Sequence, residues 1–326
     1  MTAAATHLPK VSIVIRSYKR VHEMVKLVHL VRAQDYPDFE IVVMEQTPDL
    51  DASQAEALQA LSALPNVFVH RYPPLGCAGA RTASIPHTKG EVLLFIDDDD
   101  LPIGNQWILR HARNYSDPNC LGVSGGETGR SSGNPRRDRR LCLTYDFFKV
   151  PRQRNGHGSR VTTIQWMPGS NCSLRREAVL AAGGWDEVGL FNYEEHSFYY
   201  RLQRVKPRGS YLVFDPEALV QRRFDVAGGA GVRGAPMLQS LLDELRFSHL
   251  IVRRQFPIRF ALFYPVYLWL ACRRSLMFAW RARPDAPSWE LWREVLGHLP
   301  AGLLEVRRAH AQIKKSAAAT PAPSSV

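Results

Sequence analysis

Val92, Leu93, Leu94, Phe95 and Ile96 run without a break into four acids, Asp97, Asp98, Asp99 and Asp100. An apolar run with no polar alternation predicts a strand buried on both faces, as in a parallel sheet. Ligands of open α/β sheets bind beyond the carboxyl ends of such strands. Adjacent carboxylates repel one another and resist desolvation, so cations or hydrogen-bond donors must offset them. Hard oxygen ligands in this arrangement suit Mg2+ or Mn2+, typically shared with a phosphate-bearing ligand. An acidic turn, with Asp100 capping a helix that begins near Pro102, explains one aspartate of the four.

The first 130 residues repeat a strand-helix rhythm around this junction. Val11–Ile15, Phe39–Met44 and Val67–Val69 read as strands, and Val21–Ala33 and Ala55–Leu64 as helices. Gly76–Arg81 opens a further helix ahead of the Glu91–Ile96 strand. This order predicts an α/β fold with a doubly wound, mostly parallel sheet flanked by helices. Residues 129–160 collapse into Gly, Ser, Asn, Pro and Arg and read as a long surface loop. Order resumes at Val161–Trp166, and Tyr193–Val205 reads as an amphipathic helix.

Five cysteines (Cys77, Cys120, Cys142, Cys172, Cys272) without a C-x-x-C argue against a disulfide framework or zinc site and suit a reducing cytosol. Met1–Lys10 contains no apolar core, so no signal peptide is expected. The net charge of +11 is uneven, with residues 231–326 carrying 14 Lys/Arg against 6 Asp/Glu. A basic third on a nearly neutral body points to an anionic surface, membrane or nucleic acid, or to a solvated face. Phe260–Cys272 is uncharged for 13 residues between Arg259 and Arg273. A span needs about 20 residues, so this helix fits an interface or a packed core. Trp269, Trp280, Trp289 and Trp292, with nearby arginines, have the composition of an interfacial belt.

The ordered set Pro9–Arg20, Phe39–Val43, Gly79–Arg81, Gly90–Asp100, Pro168–Arg176, Gly183–Glu187 and Glu194–Glu195 resembles the family 2 glycosyltransferases. The resemblance covers roughly residues 9–225 and implies a GT-A fold, inversion and a nucleotide-diphosphate sugar donor. It implies that Arg16, Ser17 and Tyr18 border the nucleoside, where Tyr18 can stack and Ser17 can hydrogen-bond. Glu45 matches the acid that receives base or ribose, although Glu45–Gln46 departs from the usual Asp. Asp97 and Asp99 match the D-x-D element: Asp97 at ribose or metal-bound water, Asp99 on the cation, with Asp98 and Arg81 nearby. Glu195 matches the base that deprotonates the acceptor hydroxyl, with Glu194 its alternative. Trp166, Gly169 and Asn171 match the acceptor-side loop. The late histidine of many relatives is absent from Ala218–Phe224, where Arg222 or Arg223 can neutralise the diphosphate instead. His196, His157 and His249 are possible substitutes.

The expected organisation is a GT-A catalytic domain over 1–230, a basic helical extension over 231–315 and a disordered tail over 316–326. The expected protein is a cytoplasmic glycosyltransferase, peripheral on the membrane, acting on a glycan or lipid-linked acceptor in polysaccharide biosynthesis. A soluble or protein acceptor, with the C-terminal helices as lid or dimer contact, is the second enzyme reading. A degenerate, non-catalytic relative is a third. Nucleic acid ranks below these, because an uncompensated Asp run repels phosphate.

Overall fold

A computed structural model of the chain describes residues 8–128, 141–155, 161–186, 193–223 and 237–319. Two compact units emerge, Met1–Asp186 with Phe198–Ala230, and Glu187–Ser197 with Gly231–Val326.

The first unit opens with β1 (Val11–Ser17), α1 (Val21–Arg32), β2 (Phe39–Glu45), α2 (Ala52–Ser62), β3 (Val67–Arg71) and α3 (Gly76–Ser84). Asp51 and Gln54 start α2 with a reciprocal capping box, three residues before the expected start at Ala55. Then come β4 (Val92–Asp97), β5 (Asp100–Pro102), α4 (Trp107–Ala112) and β6 (Cys120–Thr128). A hairpin of β7 (Leu141–Tyr145) and β8 (Pro151–Asn155) follows, then β9 (Val161–Ile164), β10 (Cys172–Arg175) and α5 (Arg176–Ala181). The unit closes on α6 (Glu194–Val205), whose first residues belong to the second unit, and β11 (Tyr211–Arg222).

The large sheet runs β3-β2-β1-β4-β10-β6-β11-β5, with β9 also pairing β11. β1, β2, β3 and β4 pair in parallel, as do β6 and β11, whereas β10 runs antiparallel between β4 and β6. Alternation along each strand divides the core between two faces. Val92, Leu94 and Ile96 join Ile13, Ile15, Met24, Leu27, Val28 and Trp107 on one side. Leu93 and Phe95 join Val14, Val42, Val179, Phe198 and Tyr199 on the other. Each such apolar side chain, at 2% exposure or less along β4, contributes roughly 1.5–3 kcal/mol of burial. This two-sided burial is why the β4 sequence shows no alternation.

Two expectations change here. Asp100 caps no helix, because Asp100–Pro102 pairs with β11 and α4 starts later, after Gln106. The segment 129–160 holds the β7–β8 hairpin rather than a continuous loop, and 129–140 and 156–160 lie outside the described residues.

The second unit contains α7 (Met237–Arg246), a π-helical turn (Phe247–Val252), α8 (Arg253–Gln255), α9 (Pro257–Leu262), α10 (Tyr264–Ala282) and α11 (Ser288–Ala319). Leu241, Leu245, Leu250, Ala271, Cys272, Val295 and Val306 form its core. A Cβ on Gly302 would lie 2.9 Å from Leu245 Cδ1, so the glycine lets α11 pack closely on α7 at that level without moving the leucine. α11 continues to Ala319, into the stretch expected as tail, and residues 320–326 lie outside the described set. Among the described residues no helix is long and apolar enough to cross a membrane. No disulfide joins Cys77, Cys120, Cys172 or Cys272.

Candidate active site

β4 ends at Asp97 and β5 begins at Asp100, so Asp98 and Asp99 form the turn between two strands. Carboxylate oxygens of Asp97, Asp99 and Asp100 all lie within 4.8 Å of one another. Every acid of the run faces an arginine. Arg16 Nε donates to Asp97 at 2.9 Å, and Arg20 Nη1 reaches Asp98 at 3.0 Å and Asp99 at 2.9 Å. The β5–β11 register sets Arg222 opposite Asp100, and its Nε and Nη2 grip both carboxylate oxygens at 2.9 Å. Arg222 also lies 3.7 Å from Glu127 and 3.8 Å from Asp97. Arg223 pairs with Glu23 at 2.6 Å. The arginine expected to meet a diphosphate is thus occupied with carboxylates.

These partners set the ionisation of the run. Burial pushes Asp97 upward, but Arg16, Arg222 and Arg81 outweigh it and hold the carboxyl below its ordinary value. Burial pushes Asp98 up to about 7, helped by Asp99 and Asp97 and opposed by Arg20. Burial also raises Asp100 to about 6 against the pull of Arg222. Ser170 ties the turn together: its hydroxyl accepts the Asp97 N–H at 2.9 Å and donates to Asp100.

Oxygen donors alone, in a tight group, fit a hard divalent cation such as Mg2+ or Mn2+. Asp97 and Asp99 are the ligands to expect, because Arg222 and Ser170 hold both oxygens of Asp100.

At the ends of β1 and β2, Ser17 stands in register with Glu45. Glu45 Oε1 accepts the Thr47 N–H at 2.6 Å. Its Oε2 and the Ser17 hydroxyl are buried with no hydrogen-bond partner among the described residues. Tyr18 is half-buried, with Lys19 Nζ 5.3 Å from its ring centroid.

The profile of glycosyl transferase family 2 matches residues 12–181, more than half of the chain. The chain belongs to this family. No curated protein matches it in sequence. Its fold is similar to mannosyltransferase PcManGT from Pyrobaculum calidifontis, solved with GDP-Man and Mn2+, at TM-score 0.54 and 17% identity over 93% of this chain and 87% of that one. GalNAc-T7 with UDP, GalNAc and Mn2+ gives TM-score 0.57 at 16% identity, over 74% of this chain and 48% of that one. S. aureus TarS gives 0.50 at 14% identity, over 74% and 40%. The fold of this glycosyltransferase is GT-A.

The remaining expected site residues of the glycosyltransferase are placed differently from one another. Arg81 is fully buried on α3, its guanidinium 6.0 Å from the Trp185 ring. Gly169 packs on it so closely that a Cβ there would fall 1.8 Å from Arg81 Nη2. Trp166 is 7% exposed and donates its indole N–H to Thr144 O at 3.1 Å. Asn171, at φ +51°, accepts from Trp107 Nε1 and donates to Gly126 O and Ala218 O. Its amide is committed to the fold. Gly183 and Gly184 both have positive φ, which makes the turn before Trp185 possible. Arg201 of α6 donates to the carbonyls of Ala182 and Gly184 and to Asp186.

Glu194 and Glu195 open α6; Glu194 is buried, and Glu195 lies 4.0 Å from His196 Nε2. Burial lowers His196 to about 3, so the ring is neutral. His249 bonds Leu245 O in the π turn of the second unit, and His157 lies outside the described residues. Arg20, Ser170 and Glu127 had no assigned role in the sequence reading. Their signal was charge and polarity beside four acids, but their partners are distant in sequence.

Proposed function

We propose that this glycosyltransferase moves a sugar, with inversion, from a nucleotide-diphosphate sugar to a hydroxyl of a glycan or lipid-linked acceptor. The observation that carries the donor half is the oxygen cluster of Asp97, Asp99 and Asp100 at the carboxyl end of β4. Asp97 and Asp99 would hold Mg2+ or Mn2+, which when bound acts as a Lewis acid on the diphosphate. Ser17, Tyr18 and Glu45 border the nucleoside, and the buried open valences of Ser17 and Glu45 suit its hydrogen-bonding groups. Arg16, Arg81 and Asp98 complete the donor side. Glu195 takes the proton from the acceptor hydroxyl while that oxygen bonds to the anomeric carbon and the nucleoside diphosphate leaves. Glu194 is the alternative base. Trp166, Gly169 and Asn171 act on the acceptor side as supports, through the packing described above.

The second unit favours a membrane-borne acceptor on the cytoplasmic face. Ile258, Leu262, Trp269, Trp280 and Trp289 are 54–76% exposed. Arg273 lies over Trp269 at 5.6 Å and Arg293 over Trp289 at 5.5 Å. Exposed indoles beside arginines suit an anionic lipid surface.

The test is thermal stability with UDP, dTDP and GDP, each with and without Mn2+. A nucleotide at about a hundredfold its Kd stabilises by roughly 2.7 kcal/mol, a shift of a few degrees. A shift that needs one nucleotide together with Mn2+, and that Asp99→Asn abolishes, is expected. The same shift in Asp99→Asn removes that ligand, and no shift with any nucleotide favours the non-catalytic relative.

A further inference from the structure

We propose that Tyr193, Glu244 and Arg274 form a brace that positions the acid pair at the start of α6. The inference rests on the reading of Glu195 as the base, and all the residues involved belong to the second unit. Tyr193 directly precedes Glu194 and has φ +72°, a left-handed backbone that bulky L residues avoid. Its carbonyl accepts the His196 N–H at 3.2 Å in the first turn of α6. The direction in which the two carboxylates leave the backbone therefore depends on what holds Tyr193 in this strained state.

Three contacts hold it. The Tyr193 hydroxyl donates to Glu244, which is buried on α7. Arg274 of α10 donates from Nε to the same Glu244 oxygen at 3.0 Å and sets its guanidinium 5.2 Å from the Tyr193 ring. Phe247 packs against that ring at 4.8 Å and meets His196 edge-on at 5.9 Å. Burial, then Glu244, raises Tyr193 far above the ordinary phenol value, so the hydroxyl keeps its proton and donates.

Two features argue that the brace serves chemistry rather than stability. Glu244 is buried while the Arg274 side chain is 46% exposed, so the carboxylate bears a desolvation cost that an apolar side chain of similar volume would avoid, and such a buried acid serves better to fix orientation. Phe247 also opens a π-helical turn, an irregularity that α-helices frequently carry at functional places.

The experiment follows nucleoside diphosphate release from GDP-mannose and UDP-N-acetylgalactosamine with Mn2+, comparing the wild type with Tyr193→Phe, Arg274→Lys, Glu195→Gln and the Tyr193→Phe/Glu195→Gln double variant. Tyr193→Phe removes one hydroxyl and leaves the ring packed. Displacing a catalytic group by about 1 Å costs on the order of a hundredfold, so kcat should fall roughly 10- to 100-fold in Tyr193→Phe with donor KM within about twofold. Arg274→Lys keeps the charge but not the planar fork, and its kcat should fall in the same direction with KM unmoved. Because the brace acts through the base, the double variant should be no slower than Glu195→Gln alone. Wild-type kcat in Tyr193→Phe, or losses that multiply in the double variant, overturn the brace while the residual turnover of Glu195→Gln stays far below wild type. Wild-type turnover in Glu195→Gln overturns the base reading, and the brace with it.

Discussion

Asn171 and His111 show how a single polar chain settles several residues at once. Asn171 Nδ2 donates to two carbonyls, so its Oδ1 is an acceptor and His111 Nε2, 3.0 Å away, must carry the proton. His111 Nδ1 then accepts from Ser173, whose oxygen accepts from Tyr115 at 2.7 Å. Burial lowers His111 to about 4, with the Asn171 bond and Asp215 opposing. Unfolded histidine titrates near 6.5. Above that pH both states are neutral and the stabilisation is complete. Below it the unfolded chain takes up the proton first, so stability falls until the pH reaches about 4. The stability gap between wild type and His111→Gln should therefore narrow by about 2 kcal/mol from pH 7.5 to pH 4.5, measured by denaturant unfolding. A gap independent of pH would mean that His111 titrates in the fold as it does in the unfolded chain, and a gap that widens toward low pH would mean that it is protonated there.

The connection from β9 to β10 does the decisive work at the scale of elements. It passes Gly169 across Arg81, delivers the Ser170 hydroxyl to Asp97 and Asp100, and enters the sheet as an antiparallel strand between β4 and β6. Gly169→Ala should cost about 1–3 kcal/mol, because Arg81 is buried and has no space to yield. Thermal unfolding checks this, and an unchanged Tm would show that Arg81 can move aside. The parallel strands and their helices were legible, since buried runs and 3.6-residue periodicity are local. The β10 insertion was not, because an antiparallel strand of four residues has no pattern of its own. The carboxylate run was equally legible. Its arginine partners were not, since Arg222 meets Asp100 across a separation of 122 residues.

At the scale of the molecule, the basic stretch 231–326, with 14 Lys/Arg against 6 Asp/Glu, and the exposed tryptophans lie in the second unit. Replacing Trp269, Trp280 and Trp289 together with alanine should release the protein from phosphatidylserine-containing vesicles without lowering its Tm, as all three are exposed. Vesicle sedimentation at low and high salt reads this, and the wild type should itself dissociate as salt screens the arginines. Retention of the triple variant would shift the acceptor reading to a soluble glycan or protein.

By itself the sequence determined the α/β rhythm, the buried β4 strand, the acids at its end and the family they belong to. These are local facts, written in the side-chain periodicity of single elements and in the repulsion of adjacent charges. Tertiary structure alone decided that each aspartate faces an arginine, that Asn171 is bound within the fold and that Tyr193 is clamped before the acid pair. Each depends on groups far apart in the chain, which only the register of paired strands and the packing of helices bring within hydrogen-bonding distance.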